Sequence, residues 1–306
     1  AKSLGLLEVG KVKIGADQIL SFNKVIGMIQ AVAVVGANML TKLAMTSINE
    51  VVGRKTNKKK SWKKKKGGSL SIIMPTYNEA ERLPRTCEMV DRMVSKASIG
   101  DYEIIIVTNV APDGSHDGTL DIADNLAKSK ENIRHIRNES YAGMGYRFRQ
   151  GVETATKDFV MMIPGDGEFE EDSITGVMAN LGKSEIIIPY ISNPRVRPPE
   201  RQLISQAFVS ICNKFFGLSL KYYNGMCIIP TEYLRAVPMS CDNYAYMAEI
   251  LIYLLKSGIS YKEVPFKIKP SVNSKAFKTE SINEVLESLV SIFWKVNVEG
   301  VRVCID

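Results

Sequence analysis

The chain has 306 residues, of which 45% are hydrophobic, and a formal net charge of +7. That length buries a full-sized core, so the chain does not belong among the small domains held together by disulfides or metals. Its five cysteines are widely spaced and form no CxxC pair, which argues against a disulfide framework and predicts a reducing compartment. His116 and His135 are too far apart for a histidine-based metal centre, and each is predicted to be an ordinary surface or loop residue.

The positive charge is concentrated in one short run. Residues 54–66, RKTNKKKSWKKKK, contain nine Lys and Arg residues and no acidic residue. Subtracting those nine charges from +7 leaves −2 on the rest of the chain. A nucleic-acid-binding surface would spread its basic residues over a fold and interleave them with aromatics. We therefore expect no nucleic acid among the partners and interpret residues 54–68 as a Lys-rich linker.

Upstream of this linker, residues 25–41 form a 17-residue stretch without a formal charge. The stretch is at the lower limit for crossing a bilayer, so three interpretations stay open: a marginal spanning helix, a helix in the membrane interface with the lysines on anionic lipid, or a helix packed on protein. The first predicts a location at the cytoplasmic face of a membrane. We divide the chain into an N-terminal helical segment at 1–53, the linker, a main domain at 69–298 and a C-terminal tail at 299–306.

Beyond residue 68, apolar runs of strand length alternate with segments of helical length. Such alternation, with unbroken apolar strands, predicts an α/β fold with a mostly parallel sheet and helices on both faces. Ligands of such sheets bind beyond the carboxyl ends of the strands. This places the segments PTYNE, TNVAPDG and PGDGE along one edge of the sheet. The five predicted strands are 70–75, 102–107, 132–137, 158–164 and 184–189.

Two motifs of the sequence resemble those of a known protein family. SIIMPTYNEAERL (71–83), followed by EIIIVTNVAPDGSHDGT (103–119), resembles the opening of family 2 glycosyltransferases, especially the dolichyl-phosphate mannose synthase type. The resemblance runs from about Ser69 to about Trp294. It implies a GT-A (nucleotide-diphospho-sugar transferase) fold. It also implies a Mg²⁺- or Mn²⁺-dependent inverting transfer of a sugar from a GDP- or UDP-sugar to a polyprenyl (dolichyl-type) phosphate or similar lipid acceptor.

The resemblance also implies which residues bind the donor. The strand-end proline, the tyrosine and the glutamate of PTYNE would hold the nucleoside, although PTYNEAERL alone also suits a strand–helix junction with Asn78 as the helix cap. The second strand departs from the family, because Thr108 and Asn109 replace its usual pair of aspartates. Gly143 and Gly145 match the family's glycine-rich turn and permit close approach of backbone to ligand. The implied donor-binding residues are Pro75, Tyr77, Glu79, Asn109, Asp113, Gly143 and Asp166.

The segment PGDGE aligns with the family's Asp-x-Asp metal motif. Pro164 takes the place of the first aspartate, Asp166 is the second, and Glu168 restores the missing charge. A hard cation draws one or two carboxylates from protein and its other ligands from phosphates and water, so Asp166 and Glu168 are the predicted metal ligands. The three acids that follow are predicted to favour the N-terminus of the next helix through its dipole. They are Glu170, Glu171 and Asp172.

The acceptor residues are implied by the downstream resemblance. Arg201 matches an arginine that contacts phosphate in lipid-phosphate-using members, while Arg195 and Arg197 occupy the same loop. EVPFKIKPSVNSKAF (263–277) parallels a family stretch that binds phosphate through basic residues. The residues implied to contact the acceptor are Arg195, Arg201, Glu249, Lys269 and Lys275, and those implied to be catalytic are Asp166, Arg201 and Lys275.

Two other functions stay open at this stage. A hydroxyl acceptor, in a glycan or a lipid headgroup, would require a general base, for which Glu249 or Asp242 is the candidate. The substitutions at Pro164, Thr108 and Asn109 also suit a catalytically degenerate, membrane-bound protein that binds nucleotide sugars. Two further amphipathic helices are predicted, at 244–258 and at 281–296, and the second is expected either to cover the core or to lie on a membrane.

Overall fold

A computed structural model of the chain describes residues 7–9, 12–14, 68–270 and 279–305. Within the N-terminal segment predicted to be helical, the described residues instead form two short antiparallel strands, β1 (Leu7–Val9) and β2 (Val12–Ile14). Apolar residues alternate with charged ones there, and a period of two favours a strand. The apolar stretch at 25–41 and the lysine run lie outside the described residues. No helix in the described part of the chain is both long and apolar enough to cross a membrane.

The main domain is built on a seven-stranded sheet. Its strand order is β5-β4-β3-β6-β8-β7-β9, and four of its six pairings are parallel. All five predicted strands are present, so the mostly parallel α/β fold is confirmed. The strands β8 and β9 were not predicted, because β8 has only three residues and β9 has a partly exposed edge pattern. The strands are β3 (Leu70–Thr76), β4 (Tyr102–Asn109), β5 (Ile133–Asn138), β6 (Phe159–Met162), β7 (Ile186–Ile191), β8 (Ile228–Pro230) and β9 (Tyr261–Phe266).

Eight α-helices in the described residues cover the two faces of this sheet. They are α1 (Leu83–Lys96), α2 (Thr119–Ser129), α3 (Met144–Thr154), α4 (Glu171–Met178), α5 (Pro199–Phe216), α6 (Thr231–Ala236), α7 (Tyr246–Lys256) and α8 (Thr279–Phe293). Buried side chains of α1, α2 and α4 form one core with the sheet, and those of α3 and α5–α8 form the other. Helices on both faces are therefore confirmed.

Two helices near the C-terminus differ in how they pack. The helix α7 was predicted to be amphipathic, but every residue from Tyr246 to Leu254 is buried, because α7 lies between the sheet and neighbouring helices. The helix α8 contributes Leu289 and Ile292 to the same core, and Val296 follows it there. Of the two expectations for the C-terminal helix, covering the core is the one that the packing supports.

The parallel strands β3, β4, β5 and β6 all end at one edge of the sheet. Their carboxyl ends carry the segments PTYNE, TNVAPDG and PGDGE, together with the turn that leads into α3. Hydrogen bonds also join these loops: the backbone N–H of Ala80 donates to Asp117 Oδ2 at 3.0 Å, and that of Glu79 donates to the Thr119 hydroxyl at 2.8 Å. The predicted site residues of these loops are thereby held along one rim.

Candidate functional site

The loop after β3 holds the first group of predicted donor-binding residues. Pro75 is buried within the strand, and the ring of Tyr77 meets that of Tyr141 edge to face at 6.5 Å. Glu79 Oε2 lies 3.3 Å from the guanidinium of Arg82. Asn78 does not cap a helix, because α1 begins only at Leu83. Instead it adopts a left-handed backbone with φ of 52°, a conformation that asparagine tolerates better than most residues, and its Oδ1 is buried without a hydrogen-bond partner.

At the end of β4, the Thr108 side chain forms a hydrogen bond within the protein. Its hydroxyl lies 2.7 Å from His135 Nε2, and His135 Nδ1 lies 2.7 Å from Asp124 Oδ1. The hydrogen bond with His135 lowers the pKa of Asp124, so this carboxylate is ionised and accepts the Nδ1–H. The prediction of a surface or loop position for His135 is wrong: it lies in β5 with a side chain only 3% exposed.

Asn109, the neighbouring residue, is 1% exposed. Its Nδ2 donates to the carbonyl of Val110 at 2.7 Å, whereas its Oδ1 is buried and accepts no hydrogen bond from any described residue. An unsatisfied buried acceptor costs free energy, and the N–H group of a nucleobase is a donor that suits it. Asp113, in contrast, is exposed and accepts hydrogen bonds from Ser115, which lower the pKa of Asp113. It shapes the loop after β4.

The two glycines at the start of α3 serve a packing contact. A Cβ atom on Gly143 would lie 2.2 Å from the carbonyl oxygen of Asp242, and one on Gly145 would lie 2.0 Å from that of Cys241. The Gly145 N–H donates to the Asp242 carbonyl at 2.9 Å. On the side where a Cβ would lie, the close backbone approach is therefore made by the protein segment at 241–242. A contact of Gly143 with the donor stays a prediction.

Asp166 is the part of the predicted metal site that is ready for a cation. Its Oδ1 accepts the backbone N–H of Glu168 at 3.0 Å, so the two predicted ligands share one tight turn. Burial raises the pKa of Asp166, because the carboxylate has lost water without gaining a close positive partner. A divalent cation would supply that missing charge.

Glu168 is less available to a cation than Asp166 is, because it already pairs with an arginine. Its Oε1 lies 3.2 Å from Arg82 Nη1, and both side chains are about half exposed. Among the described residues, no group of three or more histidine, cysteine, aspartate or glutamate side chains is placed to hold a metal. The two acids nevertheless fit a cation that takes its other ligands from donor phosphates and water, with Glu168 joining as it leaves Arg82.

The acids that follow belong to the next helix, as predicted. Glu171 and Asp172 occupy the first turn of α4, and Glu170 precedes it. Arg92 binds Glu171 at 3.0 Å, and this hydrogen bond lowers the pKa of Glu171. These acids stabilise the helix N-terminus and its contact with α1.

A largely apolar cavity of about 340 Å³ opens beside Pro164. Helix α5 contributes Ile204, Phe208 and Ile211 to its wall, and α8 contributes Val285. Most of the described lining is aliphatic or aromatic, and the charged residues in it are arginines. The described residues that line the cavity are Met144, Met162, Pro164, Arg197, Arg201, Ile204, Ser205, Phe208, Ile211, Tyr222, Asn224, Tyr244, Tyr246, Met247, Val285 and Leu286.

Arg197 and Arg201 bring two positive charges to this cavity. The Arg197 guanidinium lies 5.9 Å from the centre of the Tyr222 ring, and its Nη2 is 3.5 Å from the Tyr222 hydroxyl. Burial, and secondly the charge of Arg197, lower the pKa of Arg201, while Glu168 opposes that shift. Two neighbouring cations at the edge of an apolar cavity suit an anionic group attached to an apolar body.

The other predicted acceptor residues lie elsewhere. Arg195 and Lys269 are exposed and do not line the cavity, so Arg197 rather than Arg195 accompanies Arg201 there. Lys275 lies outside the described residues. Glu249 is fully buried, and its carboxylate accepts hydrogen bonds from the backbone N–H groups of Ser240 and Cys241. It holds that loop in place rather than facing the cavity.

Arg147 was not predicted from the sequence, yet it lies at the same rim. Its Nη1 donates to the carbonyl of Thr76 at 3.2 Å, and the residue is 7% exposed. The signal was available in the sequence, because Arg147 falls on the helix face that carries Phe148 and Gly151, both of which are buried. A cation on the buried face of a helix calls for an anionic partner.

Comparisons with known proteins identify the family of this chain. The profile of Glycosyl transferase family 2 matches residues 71–236, more than half of the chain. "Glycosyltransferase AglD" of Haloferax volcanii is 23% identical over 81% of this chain and 40% of its own length. "Dolichyl-phosphate beta-glucosyltransferase ALG5A" of Trichomonas vaginalis is 29% identical over 44% of this chain and 45% of its own length. The chain thus spans less than half the length of these curated relatives.

Solved structures show the same fold. Glucosyl-3-phosphoglycerate synthase from Mycobacterium tuberculosis in complex with UDP superposes with a TM-score of 0.56 at 17% identity, covering 78% of this chain and 87% of that one. The same enzyme with Mn²⁺, UDP and glucosyl-3-phosphoglycerate gives a TM-score of 0.56 at 16% identity, covering 78% of this chain and 86% of that one. The GT-A fold expected from the sequence is confirmed.

Proposed function

Because this chain belongs to glycosyl transferase family 2, we propose that it moves a sugar, with inversion, from a GDP- or UDP-sugar to a polyprenyl phosphate or similar lipid phosphate. The observation that carries this proposal is the cavity of about 340 Å³, whose described lining is mostly apolar and includes Arg197 and Arg201 as its charged residues. An apolar chain fits the first feature and a phosphate fits the second.

The acceptor phosphate needs no strong base. A phosphate monoester is already anionic near neutral pH, so one of its oxygens attacks the anomeric carbon directly. As the new carbon–oxygen bond forms, the bond to the donor diphosphate breaks, and the electron pair leaves with the diphosphate. Arg197 and Arg201 hold the acceptor phosphate beside Pro164, next to Asp166 on the donor side.

The donor lies along the rim of the sheet. Tyr77 and the free acceptor atom of Asn109 face the nucleoside, while Asp166 and Glu168 are the ligands for Mg²⁺ or Mn²⁺. When bound, such a cation neutralises charge on the leaving diphosphate. Lys275, which lies outside the described residues, is a further proposed contact for the acceptor phosphate.

A hydroxyl acceptor is less well supported. Of the two acids named for the role of base, Glu249 is buried in contact with a loop, and Asp242 accepts a hydrogen bond from Arg149 at 2.8 Å. Neither lines the cavity. A water-soluble phosphate ester is the stronger alternative, since it needs the arginines but not the apolar walls.

The experiment supplies a radiolabelled GDP- or UDP-sugar together with a polyprenyl phosphate, the matching polyprenol, or glycerol 3-phosphate. The expected result is transfer to the polyprenyl phosphate alone. Ile204→Trp, which fills the cavity, should reduce this transfer, whereas Leu203→Trp on the same helix should not, because Leu203 is 44% exposed and outside the cavity. Transfer to the polyprenol would favour a hydroxyl acceptor. Equal use of glycerol 3-phosphate would show that the acceptor need not be a lipid. Absence of transfer from every donor would support a binding protein without catalysis.

We also propose that the chain works at the cytoplasmic face of a membrane, through residues 25–41 and the lysine run at 54–66. Flotation of the full chain with phosphatidylserine vesicles and with phosphatidylcholine vesicles tests this. Binding that requires phosphatidylserine and falls with salt is expected for a lysine-driven contact. Failure to float with either vesicle would contradict it.

A further inference from the structure

Arg147 is a buried cation that forms no ion pair within the described part of the chain. Its Nη1 donates to the Thr76 carbonyl, its Nε is buried without an acceptor, and no described carboxylate forms an ion pair with it. Burial lowers the pKa of Arg147, because the charged form has lost water. A buried ion without a counter-ion is costly, and such an ion persists where a ligand completes it. Among the described residues, four tyrosines lie close enough to interact with its charge: Tyr77, Tyr141, Tyr244 and Tyr246.

The position of the guanidinium identifies the part of the donor that it meets. Thr76 is the last residue of β3 and directly precedes Tyr77, at the proposed nucleoside end. The Thr76 side chain also lies against Gly165, where an added Cβ would come within 2.3 Å of its hydroxyl, and Gly165 directly precedes Asp166. The guanidinium therefore lies near the contact between the loop that follows β3 and the loop that follows β6.

Arg147 also lies near residues that line the acceptor cavity. Tyr244 and Tyr246 contribute to the electrostatic surroundings of Arg147, and both also line the cavity. In the proposed reaction, the donor nucleoside binds near Tyr77 and the acceptor phosphate binds at Arg201. The parts of the donor that would lie between these two positions are its diphosphate and its sugar. Of these two, the diphosphate is the anionic one.

We propose that Arg147 binds the diphosphate of the sugar donor, an inference that rests on the proposed transfer reaction. A guanidinium has five N–H groups, of which the Thr76 carbonyl takes one, and its planar fork matches two phosphate oxygens. Pro164 replaces the first aspartate of the family's metal motif, and Glu168, which restores that charge, lies 3.2 Å from Arg82. A fixed arginine supplies positive charge to the diphosphate that does not depend on metal occupancy.

A structural role for Arg147 would consist of tying α3 to the end of β3 through the Thr76 carbonyl. That role would change the stability of the fold and would treat all ligands alike. Binding to the diphosphate would instead separate ligands that carry phosphates from those that do not. The two roles are therefore distinguished by ligand selectivity.

The test compares Arg147→Met, Arg147→Lys and Arg149→Met in the full chain by isothermal titration calorimetry. Arg149→Met is the matched control, because Arg149 lies on the same helix but pairs with Asp242 at 2.8 Å. The probes are inorganic pyrophosphate, UDP, GDP, uridine and guanosine, each in EDTA and in Mn²⁺. The thermal unfolding midpoint of each variant is measured in parallel.

We expect Arg147→Met to weaken binding of pyrophosphate and of the preferred nucleoside diphosphate by about ten- to a hundredfold, with the larger loss in EDTA. Arg147→Lys should lose less, because it keeps the charge, while nucleoside binding and the Arg149→Met variant should match the wild type. The proposal is overturned if the diphosphates bind Arg147→Met as well as the wild type, if nucleosides weaken equally, or if the wild type binds no diphosphate. Wild-type binding that depends on Arg147, without sugar transfer to any phosphate acceptor, would instead overturn the proposed function and keep the diphosphate site.

Discussion

The Nη1 atom of Arg82 lies 3.2 Å from Oε1 of Glu168, which joins the loop after β3 to the loop after β6. The same Nη1 is 3.3 Å from Oε2 of Glu79, so one guanidinium bridges a predicted donor-binding acid and a predicted metal ligand. Arg82 therefore holds Glu168 at the entrance of the metal loop and competes with any cation that binds there.

Arg82→Met should tighten Mn²⁺ binding, because Glu168 would lose its positive partner. Both side chains are about half exposed, and exposed ion pairs contribute about 0.2–1 kcal/mol, so the expected gain is only a few-fold. Calorimetric titration of Mn²⁺ in the presence of UDP or GDP measures it. Arg92→Met is the matched control, since Arg92 pairs with Glu171 on α4 instead. Weaker Mn²⁺ binding in Arg82→Met would mean that Arg82 contacts the donor itself.

Asp166→Asn should stabilise the metal-free protein at neutral pH. Burial raises the pKa of Asp166, so the folded state disfavours the carboxylate, and this penalty is present above the raised pKa. The penalty vanishes as the pH falls below the ordinary aspartate value, where both states are protonated, and the difference between the variants should vanish with it. We expect the Asp166→Asn variant to have the higher unfolding midpoint under these conditions.

Thermal unfolding across pH in EDTA measures this difference, with Asp172→Asn as an exposed control on α4. When Mn²⁺ is added with UDP or GDP, the wild type should have the higher unfolding midpoint, because only the wild type gains stability from a ligated cation. A metal-free Asp166→Asn protein that unfolds earlier than the wild type at neutral pH would show that the carboxylate already has a compensating partner.

Arg201→Met should raise the KM for the acceptor by about ten- to a hundredfold, the cost of a lost hydrogen bond to a charged group. Arg195→Met should leave that KM unchanged, because Arg195 is exposed and outside the cavity lining. Initial rates at varied polyprenyl phosphate and at a saturating donor measure both. An effect of Arg195→Met equal to that of Arg201→Met would restore Arg195 to the acceptor site and disagree with the observed cavity.

Glu249→Gln should lower stability and leave the pH dependence of transfer unchanged. Its carboxylate accepts hydrogen bonds from two backbone N–H groups and from the Ser240 hydroxyl, and an amide that turns its NH₂ toward one of them loses about 1–3 kcal/mol. Chemical denaturation gives the free energy of unfolding, and kcat/KM against pH gives the profile. Loss of one limb of that profile without loss of stability would make Glu249 a general base.

The strands were predictable because their apolar runs are long and are punctuated by turn residues. The runs at 70–75 and 102–107 became β3 and β4 almost unchanged. Because parallel strands bring their carboxyl ends together, the placement of PTYNE and PGDGE at one rim followed from the strand predictions. The fold and the rim were thus accessible from local pattern.

Pairings between distant residues were not accessible in this way. His135 looked like an ordinary residue, yet the register of β4 with β5 sets it against Thr108, and helix α2 brings Asp124 to its other nitrogen. Gly143 matched a ligand-binding turn, but the contact that excludes its Cβ comes from the Asp242 carbonyl, 99 residues later in the chain. Side-chain partners of this kind depend on how the elements pack.

By itself, the sequence determined the alternation of strands and helices, the edge of the sheet that carries polar loops, and the acids available for a cation there. Only the tertiary structure decided which charges are balanced. It paired Glu168 with Arg82, engaged Glu249 with a loop, set Arg197 beside Arg201, and buried Arg147 without an ion pair to any described carboxylate. The physical reason is that secondary structure follows from the local period of apolar residues, whereas the energy of a charge depends on its solvent and its neighbours in space.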